Sequence, residues 1–140
     1  LAGVCMTALL LDGLKSAIPV IPGYPIVQYG GDLLKAAIAR PRPSPELISI
    51  TGSPSGFTYP STAMLIFTVF FGYLFLLLIR RRNLPQRIPL GILCLAIIAD
   101  GGAARVLLGA HWPSDVLASF LIGMLIARGM LLVRDVSPLH

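Results

Sequence analysis

The residues best suited to chemistry in this chain form a cationic set around one histidine. Lys35 and Arg42 lie seven residues apart, and Arg105, His111 and Asp115 follow at spacings of six and four. Arginine offers a planar fork of donors that matches phosphate oxygens, and lysine adds a compact positive charge. We therefore expect Lys35, Arg42 and Arg105 to bind a phosphate-type anion beside His111.

The spacing of His111 and Asp115 predicts an oriented imidazole. Four residues make about one helical turn, so the carboxylate could bond one ring nitrogen and leave the other free to attack. A neutral imidazole nitrogen beside a bound phosphate is a competent nucleophile and would give a phosphohistidine. Two simpler interpretations stay open: His111 is an interfacial residue beside Trp112, or Asp115 caps the next helix.

A helix start supplies further donors for the same anion. Pro60, Ser61 and Thr62 precede a long apolar run, and Ser61 is predicted as its N-cap. Free backbone N–H groups and the positive end of the helix dipole would then face the anion. Ser61 could also be no more than a cap, and Thr62 could serve as a substitute donor.

The composition indicates where these residues must be held. Of the 140 residues, 56% are hydrophobic and only 12% are charged, whereas soluble domains carry about 25% charged residues. This excludes a soluble globular domain, a disordered tail and a nucleic-acid-binding protein, and it predicts an integral membrane protein in contact with the bilayer. Cys5 and Cys94 lie in apolar runs, so neither a disulfide framework nor a zinc site is indicated.

Four apolar stretches predict an all-α membrane bundle with about four spans. A spanning helix needs about 20 mostly apolar residues, and the stretches cover residues 1–39, 62–79, 88–108 and 116–133. Charges and prolines interrupt the first stretch, which we interpret as one truncated helix followed by one whole helix. Because the chain begins with leucine inside an apolar run, we expect residues 1–140 to be one core domain that lacks upstream helices.

The basic residues predict the orientation of the bundle. Arg80, Arg81, Arg82 and Arg87 lie in the short loop between the second and third spans, which the positive-inside rule places in the cytoplasm. We assign this loop no chemistry beyond anchoring the topology. The segments 40–61 and 109–115 should then meet on the extracytoplasmic side of a bacterial-type plasma membrane.

Three motifs together resemble the signature of the type 2 phosphatidic acid phosphatase superfamily. They are Lys35-x6-Arg42-Pro43, Pro60-Ser61 and Arg105-x5-His111-x3-Asp115. That superfamily includes membrane lipid phosphatases and the vanadium haloperoxidases. The resemblance implies that the predicted helices are the core of a six-helix family fold.

The resemblance also implies a role for each matching residue. Lys35, Arg42 and Arg105 would bind phosphate oxygens and stabilise the transition state. Ser61, with the N–H groups that follow it, would add hydrogen bonds. His111 would be the nucleophile and Asp115 the residue that orients it, and the phosphatase branch requires neither a metal nor another cofactor.

The middle motif departs from the family pattern. The family has Pro-Ser-Gly-His, but this chain has Thr62 and Ala63 after Ser61, so the histidine that would act as general acid is absent. Ala104 also replaces the serine that usually precedes the arginine of the third motif. General acid catalysis contributes about 10²–10⁴-fold, so we expect reduced activity toward substrates with a basic leaving group.

These considerations predict a hydrolase that removes phosphate from a membrane lipid, with preference for a polyprenyl diphosphate. A lipid monophosphate that leaves from a diphosphate is a weak base, since the second pKa of phosphate is about 6. The alternative is an impaired homologue that binds phosphate or lipid headgroups without turnover. A third hypothesis is a structural membrane subunit with a chance motif, and the oligomeric state stays open.

Overall fold

The computed structural model describes residues 1–44, 46–52 and 54–137, and over these ranges it is all-helical. The prediction of an all-α bundle is confirmed. Six helices follow one another along the chain: α1 (Ala2–Asp12), α2 (Leu14–Ala17), α3 (Val20–Ile38), α4 (Thr62–Arg80), α5 (Arg87–Leu107) and α6 (Pro113–Val136).

Helix α4 is the centre of the bundle. It carries no charge before its last residue and is rich in Phe and Leu, so almost every face can be buried. It packs against α6, α5, α3 and α1. Helix α6 comes closest at Gly123, where a Cβ would lie 2.6 Å from the Cβ of Thr68. A larger residue than glycine at this position would therefore push α6 away from α4.

Three helices are long and apolar enough to cross a membrane: α4, α5 and α6. The predicted spans at 62–79, 88–108 and 116–133 agree with their bounds to within about one turn, and the chain is an integral membrane protein. The first stretch, 1–39, differs from the prediction.

The structure divides that first stretch into α1, α2 and α3. Helix α1 is apolar but has only 11 residues. Helix α3 has 19 residues, yet it is not among the helices apolar enough to span. Gln28, Asp32 and Lys35 lower its hydropathy, and so do its prolines. The prediction of about four spans is therefore corrected to three candidate spans with α1 as a shorter apolar helix.

The two ends of the bundle differ in what connects the helices. At one end, which we call the loop end, α3 and α5 finish and α4 and α6 begin. The long segment 39–61 and the turn 108–112 meet here, since Thr51 N–H donates to the Leu108 carbonyl at 3.1 Å. The expected meeting of these segments is confirmed. Residues 45 and 53, within the proline-dense and turn-forming parts of the loop, lie outside the described residues.

At the opposite end, which we call the arginine end, both α4 and α6 end. Five residues, from α1, from the end of α4 and from α6, form an ion-pair network there. Arg134 pairs with Asp12 and, at 2.6 Å, with Asp135. Arg80 pairs with Asp135 at 2.7 Å, and Arg81 pairs with Asp12. The network ties α1 and α6 to the end of α4.

Candidate active site

His111 lies on the turn between α5 and α6, with only 7% of its surface exposed. Its backbone N–H donates to the Arg105 carbonyl at 3.2 Å, so the turn folds back onto the end of α5. Gly109 makes this turn with φ +68°, and a Cβ there would lie 2.7 Å from the Ser49 carbonyl oxygen. Only glycine suits both the positive φ and this close approach.

One nitrogen of the His111 ring is held by Thr58. The Nδ1 atom lies 2.8 Å from the Thr58 carbonyl oxygen and 3.2 Å from its hydroxyl oxygen. Because a carbonyl oxygen can only accept, Nδ1 carries the hydrogen and the neutral ring is unprotonated at Nε2. Among the described residues Nε2 has no hydrogen-bond partner, so its lone pair is available for attack.

Asp115 is completely buried and uses both carboxylate oxygens. Oδ2 accepts from the Thr58 hydroxyl at 2.6 Å and from the Trp112 N–H at 3.1 Å. Oδ1 accepts from the Arg40 guanidinium at 2.5 Å. The bond from Trp112 makes Asp115 a cap of α6, as one of the alternatives expected.

The expected direct hydrogen bond between Asp115 and His111 is not formed. Oδ2 of Asp115 lies 4.0 Å from Nδ1 of His111, which is beyond hydrogen-bond distance. The i, i+4 spacing assumes that both residues lie on one helical turn, but α6 begins at Pro113, after His111. Thr58 instead fills the space between the two side chains.

Arg42 connects three parts of the loop end through backbone carbonyls. Its Nε donates to the Gly56 carbonyl at 3.0 Å, and its Nη2 donates to the Ser55 carbonyl at 2.9 Å. Its Nη1 donates to Ala110 at 2.5 Å. Three of its five N–H groups are used in this way, which leaves two for a ligand.

Lys35 lies near the start of α4. A Cβ on Gly31 would lie 3.4 Å from the Thr62 hydroxyl, so α3 contacts α4 at this point. Lys35 is four residues further along α3 and therefore on the same face, one turn beyond the contact. Its charge acts on both Arg42 and His111. Lys35 and Arg42 thus share the surroundings of the histidine.

Three buried polar atoms at the loop end have no hydrogen-bond partner within the described ranges. They belong to Ser61 (Oγ), Thr62 (Oγ1) and Arg105 (Nε). A buried polar group without a partner costs about 1–3 kcal/mol, and such groups in native proteins usually have a ligand or a functional reason. All three atoms can donate a hydrogen bond.

Ser61 takes the predicted N-cap position, but its hydroxyl makes no capping bond. Its backbone N–H donates to the Ser119 hydroxyl at 2.9 Å, and that hydroxyl donates to the Asp115 carbonyl at 2.6 Å. The start of α4 is thereby fixed against the first turns of α6. The Ser61 side chain is left for another partner, contrary to the interpretation that it is only a cap.

The surroundings keep His111 neutral. Burial lowers its pKa below the usual 6.5, and the charges of Arg42 and Lys35 act in the same direction. The Thr58 carbonyl and the Asp115 carboxylate act in the opposite direction and raise the pKa. The net effect is a pKa below 6.5, so the ring is largely uncharged near neutral pH.

A protein-family model matches residues 17–137, and its description is the PAP2 superfamily. The chain belongs to the PAP2 superfamily. The superfamily includes phosphatases, which supports hydrolysis of phosphate esters by this member. A search of curated proteins and a search of solved structures each found no significant match.

In this PAP2 protein the structure brings the predicted site residues to one end of the bundle. The His111 N–H bonds to the Arg105 carbonyl, Thr58 connects His111 to Asp115, and the charges of Lys35 and Arg42 act on His111. Ser61 and Thr62 begin α4 at the same end. Among the described residues, no group of three or more His, Cys, Asp or Glu side chains could hold a metal ion.

Sequence reasoning missed two residues of the site, Thr58 and Arg40. Thr58 lies three residues before Ser61, and its contact with the histidine is made partly by a backbone carbonyl, which every residue type has. Arg40 forms the doubled pattern Arg40-Pro41-Arg42-Pro43, and this repetition was the available signal.

Proposed function

We propose that this protein hydrolyses phosphate from a membrane lipid in two steps through His111. The observation that carries the proposal is the state of the imidazole: Nδ1–H is bound to the Thr58 carbonyl, and Nε2 is unpartnered among the described residues. An imidazole held in this tautomer beside unneutralised cations is suited to attack on phosphorus.

In the first step the Nε2 lone pair forms a bond to phosphorus. The bond from phosphorus to the leaving oxygen breaks, and its electron pair stays on that oxygen. The Nδ1 proton remains on the ring, which gains positive charge. Asp115, 4.0 Å from Nδ1, stabilises that charge without taking the proton.

In the second step a water oxygen attacks the phosphohistidine on phosphorus. The bond between phosphorus and Nε2 breaks, and its electron pair returns to the ring of His111. The water proton is transferred to the released inorganic phosphate. The histidine is then neutral again, with the proton still on Nδ1.

The cations and the start of α4 supply the stabilisation that phosphoryl transfer needs, since this reaction depends on positioning and electrostatics. We assign Arg105, Ser61 and Thr62 to the phosphoryl oxygens, because their buried polar atoms have no other partner in the described chain. Arg42 contributes its two remaining N–H groups, and Lys35 adds a positive charge.

A lipid substrate follows from the position of the site. The site lies where α4 and α6 begin and α5 ends, and these are the three helices that could cross a membrane. A lipid with its tail in the bilayer would present its phosphate at this level. By the positive-inside rule, the basic segment 80–87 is cytoplasmic, so the site faces the extracytoplasmic side.

We infer a preference for a polyprenyl diphosphate. Ala63 has no group that could protonate a leaving oxygen. An alkoxide that leaves from a monoester is a strong base and needs a proton, whereas a lipid monophosphate that leaves from a diphosphate does not. The absence of the acid therefore penalises monoesters more.

The same alanine favours a second candidate function. If the missing acid abolishes turnover, the cations of the site would still bind phosphate or a lipid headgroup. This alternative differs from the first in one measurable property, which is the release of inorganic phosphate.

Phosphate release by the detergent-solubilised protein tests both functions, with a polyprenyl diphosphate and phosphatidic acid as substrates. We expect turnover of the diphosphate, a loss of more than about 10³-fold in His111→Ala, and a gain on phosphatidic acid in Ala63→His. Activity that survives in His111→Ala would contradict the mechanism. Binding of phosphate without release by any variant would establish the alternative, and equal turnover of both lipids would refute the substrate preference.

A further inference from the structure

A third residue connects the Asp115 carboxylate to the His111 imidazole. Asp115 and His111 do not bond directly, and Thr58 touches both. We propose that Thr58 and Arg40 are positioning residues, which together couple the buried carboxylate to the nucleophile. This inference rests on the proposed phosphohistidine mechanism.

Thr58 holds the histidine and the aspartate with different groups. Its carbonyl oxygen accepts from Nδ1–H of His111 at 2.8 Å, which fixes the tautomer. Its hydroxyl donates to Asp115 at 2.6 Å. That donation directs an oxygen lone pair toward Nδ1, which is 3.2 Å away. The hydroxyl therefore relays the orientation of the carboxylate to the ring.

Arg40 holds the other side of the carboxylate. Its Nη1 donates to Oδ1 of Asp115 at 2.5 Å and to the Ser114 hydroxyl at 2.9 Å. Its guanidinium lies over the Trp112 ring, 5.8 Å from the centroid, at a distance that gives a cation–π attraction. Arg40 thus contacts three residues at the start of α6, namely Trp112, Ser114 and Asp115.

The contacts of Arg40, Asp115 and Thr58 close into a cycle. The Arg40 guanidinium donates to Asp115, Asp115 accepts from the Thr58 hydroxyl, and the Thr58 N–H donates to the Arg40 carbonyl at 3.0 Å. Each member is held at two points, so none can turn without breaking a bond to another. The cycle gives His111 a rigid acceptor.

The cycle matters most when the imidazole gains charge. During attack Nε2 becomes bonded to phosphorus, and the ring needs an acceptor for Nδ1–H together with a negative charge nearby. Thr58 provides the acceptor and Asp115 the charge. Arg40 fixes that charge 4.0 Å from the ring. Loss of either positioning residue should therefore lower kcat more than it raises KM.

Substitutions at Thr58 test the relay while keeping its backbone carbonyl. Thr58→Val replaces the hydroxyl by a methyl group of similar size, and we expect a fall in kcat of about 10–100-fold, as for supporting residues in other sites, with little change in KM. Thr58→Ser restores the hydroxyl and should recover most of kcat. The matched control is Thr68→Val, because Thr68 is also a buried threonine but lies in the core of α4.

Substitutions at Arg40 give an independent test that does not depend on a buried position, since 37% of this side chain is exposed. We expect a lower kcat at unchanged KM in Arg40→Gln, with partial recovery in Arg40→Lys. A raised KM at unchanged kcat would mean that Arg40 binds substrate, and it would overturn the assignment.

The His111→Ala variant separates the positioning role of Thr58 and Arg40 from the proposed function. Wild-type kcat in both Thr58→Val and Arg40→Gln, with His111→Ala inactive, would overturn the positioning role and leave the proposed function intact. Activity in His111→Ala would instead remove the proposed function itself. An equal loss of kcat in Thr58→Val and Thr58→Ser would also overturn the relay through the hydroxyl.

Discussion

Helix α4 runs between two clusters of basic residues whose positive charges are neutralised in different ways. At the arginine end Arg80, Arg81 and Arg134 are all paired with Asp12 or Asp135. At the loop end, about 28 Å away along the 19 residues of α4, Asp115 is the aspartate within the site. Arg40 pairs with it, so within the described residues Lys35, Arg42 and Arg105 have no carboxylate partner.

The two clusters have different roles in the protein. Charges that neutralise one another hold helices together and need no further ligand. Cations that are partly buried without a paired anion lose solvation, which hydrogen bonds to neutral carbonyls such as those of Arg42 offset only in part. They persist where a ligand supplies the negative charge. The arginine end is therefore a clamp that ties helices together, and the charge at the loop end supports the phosphate-binding role that we propose for it.

The strongest test of this contrast is Arg105→Met. The change removes a cation and a buried Nε that has no partner in the described chain. We expect kcat/KM to fall about 10²–10³-fold, the usual cost of losing one donor to a transition-state oxygen. The melting temperature should stay the same or rise, because an unsatisfied buried group disappears.

Arg82→Met is the matched control for that experiment. Arg82 is exposed and follows α4 at the arginine end, so neither kcat/KM nor the melting temperature should change. A large fall in the stability of Arg105→Met, with activity retained, would show that Arg105 holds helices together. This result would contradict the contrast between the two ends of the bundle.

Asp12→Asn should show the opposite pattern, with loss of stability and retention of activity. Asp12 accepts from Ser16 at 2.7 Å and pairs with Arg81 and Arg134. Removal of its charge should cost about 1–2 kcal/mol, seen as a fall of a few degrees in thermal unfolding in detergent. Glu46→Gln is the control, because Glu46 is exposed in the loop between α3 and α4. A fall in kcat without loss of stability would argue against a clamp.

The smallest expected effect is a shift of the pH profile in Lys35→Met. Activity requires neutral His111, so the acid limb of kcat/KM should lie below pH 6.5. Lys35 lowers the pKa of His111, so its removal should raise that pKa and move the limb to higher pH. The same change at Lys15, on α2, should leave the limb in place. An unchanged acid limb in Lys35→Met would show that the two charges do not interact.

The helices of this protein were largely predictable because their signal is local. A run of about 20 apolar residues gives a span wherever it occurs, and α4, α5 and α6 agree with the prediction. The first stretch was not predictable in the same way. Its prolines and charged residues weaken the apolar pattern, and the division into α1, α2 and α3 depends on packing against α4.

The site was predictable in its charged residues and not in its connections. The motif spacings placed Lys35, Arg105 and His111 at one end of the bundle. They could not reveal that a backbone carbonyl of Thr58 holds the imidazole, because a carbonyl leaves no trace in a residue pattern. They also could not reveal Arg40 as the partner of Asp115, since 75 residues separate the two in the sequence.

The donors of Ser61, Thr62 and Arg105, which find no partner in the part of the chain that the structure describes, have a consequence for the end of each turnover. Inorganic phosphate presents the same oxygens as the group that is transferred. It has no lipid tail that would favour its departure into the bilayer. The site should therefore release its product slowly. Phosphate that accumulates in the surroundings should compete with substrate and slow the enzyme, a form of feedback that needs no second site.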